Sequence, residues 1–359
     1  MKSLNGLKVS QFVADLAEGD AVSMDCLELE RILVQWGCRT QIYSDRLHPQ
    51  TSRKALPLNR HHLDEEEIAI LHYSLWSASA EYLLNLRHPR LIMIYHNVTP
   101  AEYFRTLNPQ VEKATMQGRK SLARFVPVTA LALGDSEFNR MELEACGFRK
   151  TGVLPIAVDF GRLGTRPNAG LLRNLEDGYV NLLSVGRIVP NKHLEDIIKL
   201  FYHYKRYVNP RSKLFLVGPA DMGVPYHHWL ESLVEYLGLD PHVYFPGRVP
   251  EADLLAYYLS AKAYVCLSEH EGFCVPLVES MHLGTPVLAY ASSAVPETLG
   301  NGGVLFHRKD YPPMSEVLSL LVEDGPFRER MVSAGRGRAS DFSIGRLAST
   351  FRRHLEAVL

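Results

Sequence analysis

Short apolar runs alternate with helix-period segments along almost the whole chain, and glycine or proline stands at nearly every junction between them. A short buried strand followed by an amphipathic helix, repeated, builds parallel sheets covered by helices on both faces. In the first half, strands are expected near Leu7–Ala14, Thr40–Ser44, Ile68–Ser74, Arg90–His96, Ala130–Asp135 and Gly152–Val158. Between the first two, Val22, Cys26, Leu29, Leu33 and Trp36 recur at three-to-four spacing, so a helix is expected with Asp20 as its cap and Gly37 as its stop. The second half repeats the scheme, with strands at Val180–Gly186, Lys213–Gly218, Val243–Gly247, Ala263–Ser268, Pro286–Ser292 and Gly303–His307. Helical patterns lie between them at Leu194–Tyr207, Tyr226–Leu237, Ala252–Ala261 and Val275–Leu283.

A chain of 359 residues suits two domains. The stretch Asp159–Asp177 has no periodicity and holds Gly161, Gly164, Pro167, Asn168 and Gly170, which reads as a connection. The expected organisation is therefore a doubly wound α/β domain over 1–160, a linker over 161–177, a second such domain over 178–340 and a terminal helix over 341–359. In that helix Ile344, Leu347, Phe351, Leu355 and Val358 form one apolar stripe, with Arg346, Arg352 and Arg353 elsewhere. The stripe suits packing back on the first domain or packing on its own. Two Rossmann-like domains would leave a cleft at the carboxyl ends of their strands, where open α/β sheets take ligands.

Charge excludes some partners. Lys plus Arg total 39 against 40 for Asp plus Glu, so no global field attracts nucleic acid. Cys26, Cys38, Cys146, Cys266 and Cys274 are odd in number and form no C-x-x-C pair, which argues against a structural zinc site or a disulfide framework and for a reducing cytoplasm. The first residues lack the apolar core of a signal peptide, and no run reaches the roughly 18 apolar residues of a membrane span. The cations Lys113, Arg119, Lys120 and Arg124 fit either a solvated helix face or peripheral contact with anionic lipid at the inner face of a membrane.

Three strand-to-helix loops carry chemistry. In Ser268-Glu269-His270-Glu271-Gly272-Phe273-Cys274-Val275-Pro276, a buried strand ends, one glycine follows, and Pro276 sits where a first helical turn tolerates it. The amides of Phe273, Cys274 and Val275 would then face an anion such as phosphate. Glu271 before the helix and Glu279 one turn inside it would accept hydrogen bonds from hydroxyl-rich groups; an acidic helix start answering the macrodipole is the plainer alternative. In Gly186-Arg187-Ile188-Val189-Pro190-Asn191-Lys192, two cations five residues apart suit a pyrophosphate, although a solvated turn also fits and the loop is no Walker A. His96 ends a buried strand, as a site residue or a satisfied structural histidine. The first loop, Ala17-Glu18-Gly19-Asp20, has one glycine and no G-x-G-x-x-G, so a nicotinamide site has no support. No Asp-x-Asp pair offers a clamp for a metal-bound diphosphate, and His61-His62 and His227-His228 are poor metal sites.

Together these residues resemble the GT-B fold glycosyltransferases, most closely the retaining family 4 type within glycosyl transferases group 1. Glu271 and Glu279 stand in that family's E-x7-E spacing, and Gly186, Arg187 and Lys192 are similar to its G-R-x-x-x-x-K segment. Leu216-Val217-Gly218, Phe245-Pro246-Gly247-Arg248-Val249 and Gly284-Thr285-Pro286-Val287 resemble further segments in order and spacing, as do Asp135-Ser136-Glu137-Phe138-Asn139 and Leu154–Asp159 in the first half. The resemblance implies that Arg187 and Lys192 bind the donor's diphosphate and that Glu271 contacts its sugar. It implies that Glu279 takes the ribose hydroxyls, that the amides of Gly272, Phe273, Cys274 and Val275 hold phosphate and sugar, and that Gly186 and Val249 border the nucleotide. His96 would face the transferred sugar, with Gly19 and Asp20 shaping the acceptor site. Two departures stand out: the family's first loop often carries a Gly-Gly pair where this chain has Ala17-Glu18-Gly19-Asp20, and Cys274 occupies a position where glycine is frequent.

The function implied is a cytoplasmic retaining glycosyltransferase. It would move a sugar from a nucleotide diphosphate sugar to an acceptor hydroxyl of a glycan, a lipid-linked glycan or a small molecule, in glycan or glycoconjugate biosynthesis. No cofactor and no essential metal are expected. A nucleotide-sugar epimerase on the same fold and a catalytically silent nucleotide-sugar-binding partner of another transferase are the alternatives.

Overall fold

The computed structural model describes residues 4–17, 19–49, 51, 53–62, 64, 66–105, 107–220 and 224–359. Two compact units result. One comprises Met1–Glu102, Gln110–Val158 and Phe342–Leu359; the other comprises Tyr103–Pro109 and Asp159–Asp341.

The first unit is built on a parallel sheet of seven strands: β1 (Lys8–Leu16), β2 (Arg39–Leu47), β3 (Ala55–Pro57), β4 (Ile68–Tyr73), β5 (Leu91–Tyr95), β6 (Leu131–Gly134) and β7 (Thr151–Val153), in the order β3-β2-β1-β4-β5-β6-β7. Every residue of β4 and β5 is buried, as an uninterrupted apolar run in a sheet covered on both faces requires. Alternate side chains feed two cores. Ile68, Ile70, Ile92 and Ile94 pack with Leu29 and Leu33 on one face, and Leu71, Met93 and Tyr95 pack with Leu83 and Phe125 on the other. The helix Ala21–Gln35 starts as expected, with the Asp20 carboxylate accepting from Ser23 N at 3.1 Å, and Gly37 follows it at φ +79°.

The terminal helix Ile344–Glu356 belongs to this unit. Leu347, Phe351 and Leu355, spaced four apart, enter the Leu29–Ile94 core, and Phe351 meets Trp36 at a ring separation of 5.7 Å. A His354 Nε2 hydrogen bond to the Val153 carbonyl at 3.0 Å ties the helix to β7.

Local differences from the expected elements have local causes. β3 lies outside the expected strands; it is three residues long and ends in proline. β7 stops at Val153, where a strand to Val158 is expected; Pro155 cannot donate to a ladder, and Ala157 N donates instead to the Asp25 carboxylate at 2.9 Å. The stretch expected as an aperiodic linker contains two short helices, Phe160–Leu163 and Ala169–Leu175. Asp159 and Asn168 cap them, each accepting from two backbone amides.

The second unit carries β8 (Val180–Val185), β9 (Ser212–Val217), β10 (Val243–Gly247), β11 (Ala263–Cys266), β12 (Val287–Tyr290) and β13 (Val304–Phe306), all parallel, in the order β10-β9-β8-β11-β12-β13. The chain begins at the central β8, winds outward to β10 and returns beside β8 as β11. The sequence order therefore reverses between β8 and β11, and the loops leaving their carboxyl ends diverge there, which opens a crevice. Gly218 after β9 makes the junction possible. It sits at φ +151°, and a Cβ on it would lie 1.9 Å from the Gly186 carbonyl oxygen.

Candidate functional site

The crevice between the ends of β8 and β11 is lined by Ser184, Gly186, Arg187, Lys192, Tyr264, Cys266, Ser268 and Glu271, among others. Its cavity volume is about 10 Å³, room for about one water molecule. Lys192 fills it. Its Nζ donates to both Glu271 oxygens, at 2.6 and 2.7 Å. Burial alone favours the neutral amine, but the Glu271 carboxylate outweighs that cost and holds the ammonium well above the ordinary lysine range. The loop places this cation by a short 3-10 turn, Pro190–Lys192, which ends at His193 in the left-handed region at φ +47°.

Several residues outside the expected set hold the Glu271 loop in place. Asn191 Nδ2 donates to the His270 carbonyl at 3.0 Å, and the Asn191 carbonyl accepts from Glu269 N at 2.9 Å, so the two loops are stapled together. Ser293 Oγ accepts from Glu271 N at 2.7 Å, and Thr298 Oγ1 donates to the Phe273 carbonyl at 2.6 Å. Asn191 had a signal, a carboxamide after proline in a polar strand-end loop. Ser293 and Thr298 had none nearby, because the loop and the short helix Val295–Leu299 that carry them follow β12 and join through the tertiary fold.

Cys274 opens the helix Val275–Leu283 at φ +72°, without a capping bond from its side chain, and Pro276 stands in the first turn as expected. A left-handed backbone is what glycine adopts most easily, which accounts physically for glycine being frequent at this position.

Glu279 lies elsewhere. It is buried, with Oε1 accepting from Arg162 Nη2 at 2.5 Å and Oε2 from the Tyr258 hydroxyl at 2.8 Å, and it is not among the crevice residues. Burial, with the Glu279 charge added, pushes the Tyr258 hydroxyl well above the usual phenol range, so it remains a donor. Val249 is half-buried in the loop after β10 and also outside the crevice lining. The structure thus brings Gly186, Arg187, Lys192 and Glu271 together and leaves Glu279 and Val249 apart from them.

His96, Gly19 and Asp20 are in the first unit. Gly19 has φ +76°, Asp20 is the helix cap, and Glu18 lies outside the described residues. His96 belongs to a buried hydrogen-bond chain that starts at Gln11. Gln11 Nε2 donates to the Cys26 carbonyl and to Glu30, so its Oε1 faces His72 and accepts from His72 Nε2–H at 2.9 Å. Neutral His72 then has a bare Nδ1, which accepts from His96 Nε2–H at 2.9 Å. A hydrogen bond of 3.0 Å joins the other nitrogen of His96 to Asp135. The shifts agree. Burial pushes His72 well below the histidine range, whereas for His96 burial is outweighed by the Asp135 carboxylate and the shift is upward. Both ring nitrogens of His96 are therefore spent on protein partners.

Asp25, with an oxygen 4.0 Å from His72, is pushed up to about 7, first by burial and also by Asp135, against the opposing His96 charge. A folded-state value above the ordinary 3.8 means that the fold prefers the protonated acid, so this contribution is lost as pH rises from about 4 to about 7. Asn at this position retains an acceptor for Ala157 N but does not titrate. Relative to wild type, Asp25→Asn is expected to gain roughly 3 kcal/mol between pH 5 and pH 8, from about two pH units of titration. Urea midpoints at the two pH values measure this, and parallel changes in both proteins would refute it.

Of the four cations considered for lipid contact, Arg119 pairs with Glu142 at 2.7 Å and Arg124 sits over Trp76 at 5.4 Å, while Lys113 and Lys120 are exposed. Among the described residues, no helix is long and apolar enough to cross a membrane.

Residues 173–338, all within the second unit, match the family described as glycosyl transferases group 1. An O-antigen chain mannosyltransferase B from Escherichia coli is 28% identical over 170 residues, 46% of this chain and 42% of that protein. A D-inositol 3-phosphate glycosyltransferase from Thermobifida fusca is 31% identical over 187 residues, 50% of this chain and 43% of that protein. The aligned region thus spans less than half the length of these curated relatives. A sucrose-phosphate synthase from Thermosynechococcus elongatus superimposes with a TM-score of 0.78 at 17% identity, and Anabaena HepE in complex with UDP-glucose with 0.75 at 16%. Each covers 98% of this chain and 100% of the other. The shared feature is the fold: two Rossmann-like domains, the GT-B architecture.

Proposed function

We propose that this chain, whose second unit carries a group 1 glycosyl transferase sequence on a GT-B fold, is a retaining glycosyltransferase. It moves a sugar from a nucleoside diphosphate sugar to an acceptor hydroxyl, in glycan or glycoconjugate biosynthesis. The observation that carries the reading is the meeting of Arg187, Lys192 and Glu271 in one crevice at the switch point of the second sheet. The names of the relatives support it, since they include a mannosyltransferase and a D-inositol 3-phosphate glycosyltransferase, and a structural neighbour holds UDP-glucose.

In this reading Lys192 exchanges Glu271 for the donor's diphosphate, and with Arg187 it stabilises the charge that grows as the sugar–phosphate bond breaks. Glu271, released from the ammonium, accepts hydrogen bonds from sugar hydroxyls. The backbone at Gly272, Phe273, Cys274 and Val275 holds phosphate and sugar, and Gly186 and Val249 border the nucleotide. Glu279 keeps unused lone pairs for ribose hydroxyls, with Arg162 and Tyr258 fixing its orientation. The acceptor docks on the first unit near Gly19 and Asp20. His96 is a fixed polar wall there and not a base, because both ring nitrogens are engaged by protein partners. Two side-chain cations at the diphosphate make an essential metal unnecessary.

A panel of nucleoside diphosphate sugars tests this by thermal shift, followed by product analysis with candidate glycan, lipid-linked and small-molecule acceptors. The cognate donor at a hundredfold excess over Kd is expected to stabilise the protein by about 2.7 kcal/mol, and the product is expected to keep the donor's anomeric configuration. An inverted product refutes retention. Conversion of the donor's sugar without an acceptor indicates an epimerase, and binding with neither transfer nor slow hydrolysis indicates a silent partner.

A further inference from the structure

The strand-end cysteine and the helix-start cysteine of the second unit come together beside the crevice. Cys266 Sγ and Cys274 Sγ are 4.0 Å apart, both buried, and one oxygen of Glu271 joins them with all three atoms within 4.8 Å of one another. Zinc–sulfur bonds of about 2.3 Å at the tetrahedral angle set two sulfurs about 3.8 Å apart. The pair therefore stands close to the edge of a tetrahedral site before any side chain moves, with a Glu271 oxygen within 4.8 Å of both sulfurs. Charge also balances. Two thiols, the Glu271 carboxylate and the Lys192 ammonium sum to zero; a divalent cation that displaces the two thiol protons leaves the sum unchanged. No buried net charge is created, the usual obstacle to a cation at such a depth.

We infer that Cys266, Cys274 and Glu271 form a binding site for a thiophilic divalent cation of the zinc class, and that its occupation inhibits the protein. Three protein ligands leave a fourth position for water or Ser268, whose Oγ lies 3.5 Å from Cys266 Sγ. Inhibition rests on the glycosyltransferase reading: a Glu271 held by metal is not free for the donor sugar, and the loop that carries it is locked.

Cobalt(II) is the probe, because thiolate ligation gives an intense near-ultraviolet charge-transfer band that histidine and carboxylate sites lack. Titration of the full chain under a phosphine reductant is expected to saturate that band at one equivalent, and zinc is expected to abolish it. Cys274→Gly suits the left-handed backbone at this position, so it removes a ligand without straining the fold; Cys266→Ala removes the other. Each is expected to lose the band and to raise the zinc concentration for half-inhibition at least tenfold, relative to each protein's own metal-free rate. Absence of the band in wild type, or its persistence in Cys274→Gly, overturns the site whatever the enzymology. A band without inhibition, in a protein that transfers sugar, overturns the inhibitory role. If no donor sugar is transferred at all, the glycosyltransferase reading and the inhibition built on it both fall, while the metal site stands or falls on the optical titration.

Discussion

Replacement of Lys192 by alanine is expected to lower kcat/KM by about 10²–10³-fold, the scale of removing one preorganised donor from a developing negative charge. Lys192 lines the crevice beside Arg187, and its Nζ donates to both oxygens of Glu271, the contact that a bound diphosphate would replace in the proposed reaction. The substitution has a second consequence. Glu271 is 6% exposed, and without its counter-ion the variant also loses about 3 kcal/mol of stability. The double change Lys192→Ala with Glu271→Gln separates the two effects, because a neutral carboxamide needs no ammonium. It is expected to restore the unfolding midpoint while leaving kcat/KM at least as low as in the single variant. A single variant within about threefold of wild-type kcat/KM would remove Lys192 from the chemistry.

The second large effect is structural. Phe351→Ala is expected to destabilise the first unit by about 3–5 kcal/mol, the cost of deleting a buried aromatic side chain and leaving a cavity. Phe351 is fully buried between Trp36 and the Leu29–Ile94 face of the sheet, and Leu347 and Leu355 flank it one helical turn away on either side. Against a typical stability of 5–15 kcal/mol, such a loss brings the unit close to unfolding at physiological temperature. Trp36 lies against the altered site and reports the transition by fluorescence during urea unfolding. Phe351→Leu, which refills much of the volume, is expected to recover more than half of the loss. An unchanged midpoint in Phe351→Ala would mean that the terminal helix contributes nothing to this core.

Much of the fold was legible because the governing interactions are local. The helices Leu194–Tyr207 and Val275–Leu283 run over the residues that periodicity indicates. Gly37 stops a helix at φ +79°, and Asp20 caps one. The site loops were legible for the same reason: a buried strand that ends in Gly186-Arg187 or Ser268-Glu269 must turn at a sheet edge. Where reading by periodicity stopped short, the deciding contact was distant or a side chain replaced the ladder. Asp159 and Asn168 convert an apparent linker into two capped helices through hydrogen bonds to amides two and three residues on. β7 ends early because proline interrupts its donors and Asp25, 132 residues away in sequence, takes up the Ala157 amide.

Residue order alone determined the alternation of strand and helix, the two-domain scale, the apolar stripe of the last helix, and the placement of Arg187, Lys192 and Glu271 at strand ends. Those properties follow from period, capping chemistry and chain direction, which act over a few residues. Tertiary structure decided which charges meet. It paired Lys192 with Glu271, gave Glu279 to Arg162 and Tyr258, spent both nitrogens of His96, and set two cysteines with no metal-binding spacing 4.0 Å apart. Coulomb and hydrogen-bond energies depend on distance through space and on the water excluded from between the partners, and neither quantity is written in the spacing of letters along a chain.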